Sequence, residues 1–529
     1  MKKLQERPSR ASVSGIARTP ANSLLKIERI PEPFLLFHQG QPHTDPKVGL
    51  RQFGPSGLSI TGSHRAQIGL GYVGTGKTND LAKKWVDRCA TPIAGSSDLR
   101  KKTLFPDFPG FSLDSPFRSS FVWNTGWDQT ISSSEITSLL AISDRRIRFE
   151  HAINLVSDKV RLLAETDNAP DVILCALPEE IVDSCWSIGG AGERAGSPKM
   201  SPVDRWLFRM VERARKSGQQ LLPGVFPELD AQPTDLLYRN FRRALKARTM
   251  RWKVPTQLIV QSSLEERGGL QPAATRAWNM CVALYYKAGC TPWKLQVLQP
   301  GSCYIGVSFY QVASHDRYVQ SSLSQVFSDS GEGVVLRGEK FSWDPVKQGR
   351  APHLSSEHAK RLVKNAISHY EKLVGTAPKR VVVHKTSKYW EDELNGFREG
   401  LAAVKLYDLV ALYQSGVRAF RLGAYPPLRG TKIRVADSTD FLYTTGYIEE
   451  LGTYPQSYVP EPLQIVEHFG DSPTDVLCSE ILGLTKMNWN TSDFSSGLPI
   501  TIRFARKIGD ILQEIPDGET PDPRYRFYM

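Results

Sequence analysis

Short, almost wholly apolar runs alternate along this chain with stretches whose apolar residues recur every three or four positions. Residues 171–177 (Asp171-Val172-Ile173-Leu174-Cys175-Ala176-Leu177) are stopped by Pro178, and Val381-Val382-Val383 gives way abruptly to His384-Lys385-Thr386. Such runs, rich in β-branched residues and bounded by turn formers, predict strands buried on both faces. Residues 65–73 and 256–261 predict two more. Helical spacing marks 79–88, 144–165, 234–249 and 272–288, so strand and helix alternate as in a small, doubly wound parallel sheet. Past Trp293 the texture changes. Strands near 303–312, 316–327 and 333–342 follow one another as in an antiparallel meander, and a helix at 355–374 leads to the strand at 380–384.

The change divides the chain into an α/β domain over 63–295 and a second over 296–529. Before them, 1–23 are polar and basic and read as a flexible tail, and 24–62, broken by Pro and Gly, read as an irregular extended lead-in. Residues 187–204, rich in Gly, Ser and Pro, predict a loop or insertion. The sequence holds no internal repeat.

Composition narrows the classes. Over 529 residues, 40% hydrophobic and 23% charged content fits a globular protein. No apolar run approaches the ~20 residues of a bilayer span. Seven cysteines stand singly, without a CxxC pair, so neither a zinc site nor a disulfide framework is indicated and a reducing cytoplasm is expected. The net charge of +12 suits a polyanionic partner, although a plain basic surface would give the same number.

Two motifs carry chemistry. Gly71-Tyr72-Val73-Gly74-Thr75-Gly76-Lys77-Thr78 matches the phosphate-cradling G-x-x-x-x-G-K-[ST] pattern between a strand and a helix. A nucleoside triphosphatase also needs an acidic strand end for Mg²⁺, and the run at 171–177 ends in Leu177-Pro178. A tight glycine turn is the plainer reading, and a P-loop enzyme acting on nucleic acid is the rival function. The second motif is basic. Within the helix at 234–249, Leu237, Phe241 and Leu245 share one face, while Arg242 and Lys246 share another at i, i+4. Gln257 then opens a strand and Lys287 closes a helix. Arg offers a planar fork to phosphate oxygens and Lys a point charge.

In order and approximate spacing, Arg242, Lys246, Gln257 and Lys287 resemble the guide 5′-phosphate pocket of prokaryotic Argonautes, specifically the short branch built of MID and PIWI domains. The segment from Trp278-Asn279 to Cys290-Thr291-Pro292-Trp293 looks like that family's passage into PIWI. A lysine often present one turn before the last one is Ala283 here. The resemblance implies a Rossmann-like MID domain followed by a ribonuclease-H-like PIWI domain, with a guide RNA paired to target single-stranded DNA. It also implies Mg²⁺ or Mn²⁺ at the guide phosphate, held by the terminal carboxylate of Met529, since the aromatic tail Tyr525-Arg526-Phe527-Tyr528-Met529 reads as docked.

Active PIWI domains carry four acidic or His residues around two metals. Aligned by strand context, Ser308, Thr386 and Arg506 occupy three of those positions and the Glu cannot be placed. Two hydroxyls and a cation do not neutralise two Mg²⁺ ions. The expectation is a guide-dependent binder without nuclease activity of its own, unless the four positions are misaligned. The family implies output through a protein partner that joins an Argonaute-associated N-terminal-like domain to a TIR, sirtuin-like or nuclease effector, in cytoplasmic immunity against phages or plasmids. Lys385, Lys388, Arg503 and Lys507 are candidates to line the nucleic-acid channel.

Overall fold

The computed structural model describes residues 25–98, 102–188, 239–267, 270–311, 319–328, 333–343, 351–435, 439–455, 458–492, 494, 496–516 and 519–529. The chain enters through a strand, Leu25–Arg29 (β1), and then builds a parallel layer from Gln67–Gly74 (β2), Ser120–Val122 (β3), Val172–Leu177 (β4) and Thr256–Val260 (β5). The spatial order is β5-β4-β2-β3, and each of these pairings is parallel. Successive side chains point to opposite faces, and both faces are covered. Leu70, Tyr72, Val172 and Leu174 meet Gly76–Cys89 (α1) and Ala273–Lys287 (α4), whereas Val73, Ile173 and Cys175 meet Arg145–Ala164 (α2) and Phe241–Thr249 (α3).

The second layer contains the meander Ser302–Gln311 (β6), Val319–Ser328 (β7) and Gly333–Ser342 (β8), antiparallel throughout. The nineteen-residue helix Ser356–Val374 (α5) follows. The Ser355 hydroxyl caps its start, and Gly375, at φ 83°, ends it in the left-handed conformation that glycine adopts without strain. The strand Arg380–Lys385 (β9) then returns parallel to β6. After it come Glu391–Gly400 (α6), Leu406–Gln414 (β10), Thr431–Val435 (β11), Thr439–Leu442 (β12), Leu463–Gly470 (β13), Thr474–Leu484 (α7) and Ile500–Leu512 (α8). The nine strands run β1-β11-β12-β13-β10-β9-β6-β7-β8. Cys303, Ile305, Val381, Val383 and Leu409 pack under α5 and α6. The other face, with Tyr304, Val382 and Val410, joins α7, α8 and the first layer in one shared core around Trp278, Trp293 and Trp489.

Three sequence expectations change. The helix expected at 234–249 begins at Phe241, because the Asn240 side chain accepts from the Arg242 N–H at 3.0 Å and Arg239–Asn240 pair antiparallel with Ser187–Ile188. Phe241 and Leu245 are buried as expected. Leu237 lies outside the described residues, as does nearly all of 187–204. The lead-in segment is built into the fold: β1 pairs with β11, and Leu35–Leu36 pair with Lys294–Leu295. The stretch around Arg506, aligned by strand context, is helical as part of α8.

Candidate functional site

Four basic-pocket residues converge where β5 begins. Lys246, on α3, and Lys287, at the end of α4, are 2% and 1% exposed. Both ammonium groups donate to the Thr256 carbonyl, at 3.2 and 3.1 Å, and Lys287 also donates to Oε1 of Gln257. Among the described residues no carboxylate acts on either lysine. Burial, then the neighbouring cations, holds Lys246 well below the usual lysine range. Burial and the Arg242 guanidinium lower Lys287 to about 7. Cys175 on β4 supplies no counter-charge, since burial pushes its thiol up to about 12. Two buried ammonium groups without an anion are costly for a fold to keep. The arrangement suits an incoming anion.

The second layer adds to the same field. Helix α8 packs against α3, and Lys507 on α8 lies in the electrostatic field of Arg242 and Arg503. The two helices are fastened by Arg243–Asp510 at 2.7 Å, and Arg239 reaches Glu514 at 2.8 Å. Beside Gln257 lies a cavity of about 270 Å³ lined also by Trp85, Ile259, Asn279, Met280 and Ala283. The buried Ala283 contributes only a methyl group to this lining.

The tail is docked. Tyr525, Phe527, Tyr528 and Met529 are buried. The Tyr525 ring lies 6.2 Å from Tyr286, next to Lys287, and 5.2 Å from Phe504 of α8. The Val335 N–H donates to the Pro523 carbonyl at 2.6 Å, so the tail is held along β8. The expected divalent cation finds no side-chain ligand set. Among the described residues no three His, Cys, Asp or Glu gather to hold a metal, and the pocket's side chains are cations or amides. An ion there would depend on the oxygens of the bound phosphate and on the tail.

At the strand ends, Gly306 pairs with His384 and Val307 with Lys385. Ser308 and Thr386, each two residues beyond the Gly306–His384 pair, therefore fall on one face. Helix α8 crosses that face so closely that a Cβ on Gly306 would lie 1.8 Å from the Thr501 carbonyl oxygen, and His384 Nδ1 bonds the Thr501 hydroxyl at 2.8 Å. The Arg506 side chain lies outside the described part of the structure. Lys385 does not line a channel: it is fully buried on the opposite face, paired with Glu393, which also bonds His353 at 3.1 Å. A lysine adjoining a strand's polar end looks solvent-facing in sequence, and period-two alternation turns this one inward. Lys388 and Lys507 are exposed and Arg503 is half-buried.

The glycine motif at 71–78 is no phosphate cradle. Its first four residues belong to β2, and Gly71, Tyr72, Val73 and Gly74 pair with Ile173, Leu174, Cys175 and Ala176. Thr78 is buried and its hydroxyl donates to the Ala176 carbonyl at 2.7 Å. Lys77 faces Glu265 at 2.7 Å on the surface. With the strand running to Gly74 and the helix starting at Gly76, no loop remains to wrap phosphates.

No family model matches the chain. Over 291 residues it is 22% identical to the protein argonaute of Aquifex aeolicus, covering 54% of this chain and 37% of that protein. Over 331 residues it is 24% identical to the protein argonaute of Thermus thermophilus, covering 60% and 42%. The chain thus spans less than half the length of these curated relatives. The structure of Clostridium butyricum Argonaute bound to a guide DNA and a 19-mer target DNA matches with a TM-score of 0.60 at 15% identity, covering 97% of this chain and 56% of that one. The fold is that of the MID–PIWI region of Argonautes. Drosophila Piwi matches likewise, at a TM-score of 0.53 and 13% identity, over 95% of this chain and 56% of its own. The parallel layer is the MID part and the nine-stranded layer the PIWI part. The chain is thus similar at low identity to two Argonaute proteins and shares the fold of a third.

Proposed function

We propose that this chain is a short prokaryotic Argonaute that anchors the 5′ phosphate of a guide RNA and senses complementary single-stranded DNA without cutting it. The observation that carries the reading is the pair of buried lysines, Lys246 and Lys287, gathered on the Thr256 carbonyl with no carboxylate acting on them. A terminal phosphate supplies the missing negative charge, with Arg242 and Gln257 adding hydrogen bonds. The adjoining cavity takes the first base. Base pairing would read the target while the protein holds backbone and shape, as in other guided effectors.

A sensor without a blade needs an output. Ser308 and Thr386 lack the charge that divalent metals require, so the proposed output is an effector partner of the TIR, sirtuin-like or nuclease kind, acting in defence against phages or plasmids. Val417, Phe420, Leu422, Tyr425, Tyr458 and Val459 are 41–99% exposed on two neighbouring PIWI loops, a grouping that supports a protein-contact surface. Any divalent ion in the pocket would bridge guide phosphate oxygens and the Met529 carboxylate.

The test compares affinities for one oligonucleotide carrying either a 5′ phosphate or a 5′ hydroxyl. Charge-assisted hydrogen bonds contribute about 1.5–3 kcal/mol each, so the wild type should prefer the phosphate by at least about a hundredfold. Arg242→Ala combined with Lys246→Ala should erase most of that preference. Equal binding of both strands by the wild type would overturn the assignment.

A further inference from the structure

A second cavity of about 270 Å³ lies where five parts of the chain meet: the helix Pro46–Phe53, the loop at 103–105, the start of α4, the segment around Leu451 and the segment around Ser492. Lys47 lines it and is only 7% exposed. Among the described residues its ammonium makes no hydrogen bond or ion pair. Asp45, also in the lining, turns Oδ1 toward the N–H groups of Lys47 and Val48, at 2.7 and 2.9 Å, and so caps its own helix.

Helix α4 opens at this cavity, with Gln271 and Thr275 in the lining. Pro272 stands at the cap position and supplies no side-chain acceptor. The first-turn amides of this fifteen-residue helix therefore lack a side-chain cap at the positive end of its dipole. The buried Thr275 hydroxyl is without a partner as well. Phe105 and Phe494 provide apolar walls.

We propose that this cavity is a second phosphate site, in which the anion sits between the Lys47 ammonium and the start of α4 and any attached planar group packs on Phe105 and Phe494. An unspent buried cation and an uncapped helix start are together a ready anion receptor. The site is distinct from the Lys246–Lys287 pocket. That pocket is at the far end of the same helix, roughly 20 Å away at 1.5 Å per residue. The phosphate could belong to a free mononucleotide or to the backbone of a bound strand.

Calorimetric titration of 5′-AMP into the full chain examines the first source. Lys47→Met and the cavity-filling Leu104→Trp should each remove one binding event that Arg242→Ala retains, and Lys47→Arg should keep it. For the second source, an oligonucleotide with a neutral methylphosphonate linkage is walked along the strand. One position should cost the wild type about tenfold in affinity and cost Lys47→Met nothing. Loss of Lys47-dependent binding in either arm supports the proposal, whichever way the 5′-phosphate preference falls. AMP stoichiometry and linkage sensitivity that are both indifferent to Lys47→Met and Leu104→Trp would overturn it.

Discussion

Lys287 joins the chemistry of the pocket to pH. Its folded pKa, lowered to about 7 by burial and Arg242, lies below the ~10.4 of an unfolded lysine. Between those values the unfolded chain holds more protons, so this residue's contribution makes stability rise with pH; below about 7 its full cost is present. A bound phosphate reverses the balance by favouring the charged ammonium. The preference for 5′-phosphate over 5′-hydroxyl strands should accordingly weaken as pH rises from about 7 to about 9, and Lys287→Met should flatten that profile. A pH-independent preference would remove Lys287 from the pocket. The residue types were legible in sequence, since Arg242 and Lys246 stand one helical turn apart. The burial of Lys246 was not, because it depends on distant segments, β4 among them, closing over it. Lys385 shows the same limit: its inward turn toward Glu393 requires a partner eight residues on. Lys385→Met should destabilise the fold by about 3–5 kcal/mol in chemical denaturation, the usual effect of stranding a buried charge.

At the level of elements, the long apolar runs and periodic helices were readable because one local pattern decides each. The run 172–177 needs only its neighbours to be a buried strand, and β6, β7 and β8 follow the expected meander within a few residues. What was not readable depends on distant segments: the start of α3, set by pairing of Arg239–Asn240 with Ser187–Ile188, and the helical character of 500–512. The glycine motif keeps the plainer reading: the strand expected at 65–73 runs on to Gly74, paired with β4. Lys77→Ala should leave guide binding intact and change stability by no more than about 1 kcal/mol, as for exposed ion pairs. Thr78→Val should cost about 1–3 kcal/mol, because the buried Ala176 carbonyl loses its donor. The reverse ranking, with Lys77→Ala abolishing function, would restore the nucleotide reading. Guide-loaded protein incubated with complementary DNA and Mn²⁺ should yield no cleaved product; a discrete product would mean that acidic ligands come from positions other than Ser308 and Thr386.

Across the whole molecule, a single apolar core ties the two layers together. Trp278 belongs to the MID layer and Trp489 to the PIWI layer, with Trp293 between them in the same cluster. The tail closes that junction with Tyr525, Phe527, Tyr528 and Met529. Removing residues 524–529 should therefore lower the thermal midpoint of the whole protein in one cooperative transition; separate melting of the two halves would contradict a shared core. The same junction places the cationic pocket against α8, so an anchored strand would touch both layers at once. The measurement that bears most directly on this account is end-group analysis of nucleic acid recovered from the protein purified from cells. The account predicts short strands, predominantly RNA, carrying 5′ phosphates, and their loss from the Arg242→Ala, Lys246→Ala double variant. Protein recovered free of nucleic acid, or bound to strands of random length and end chemistry, would contradict it.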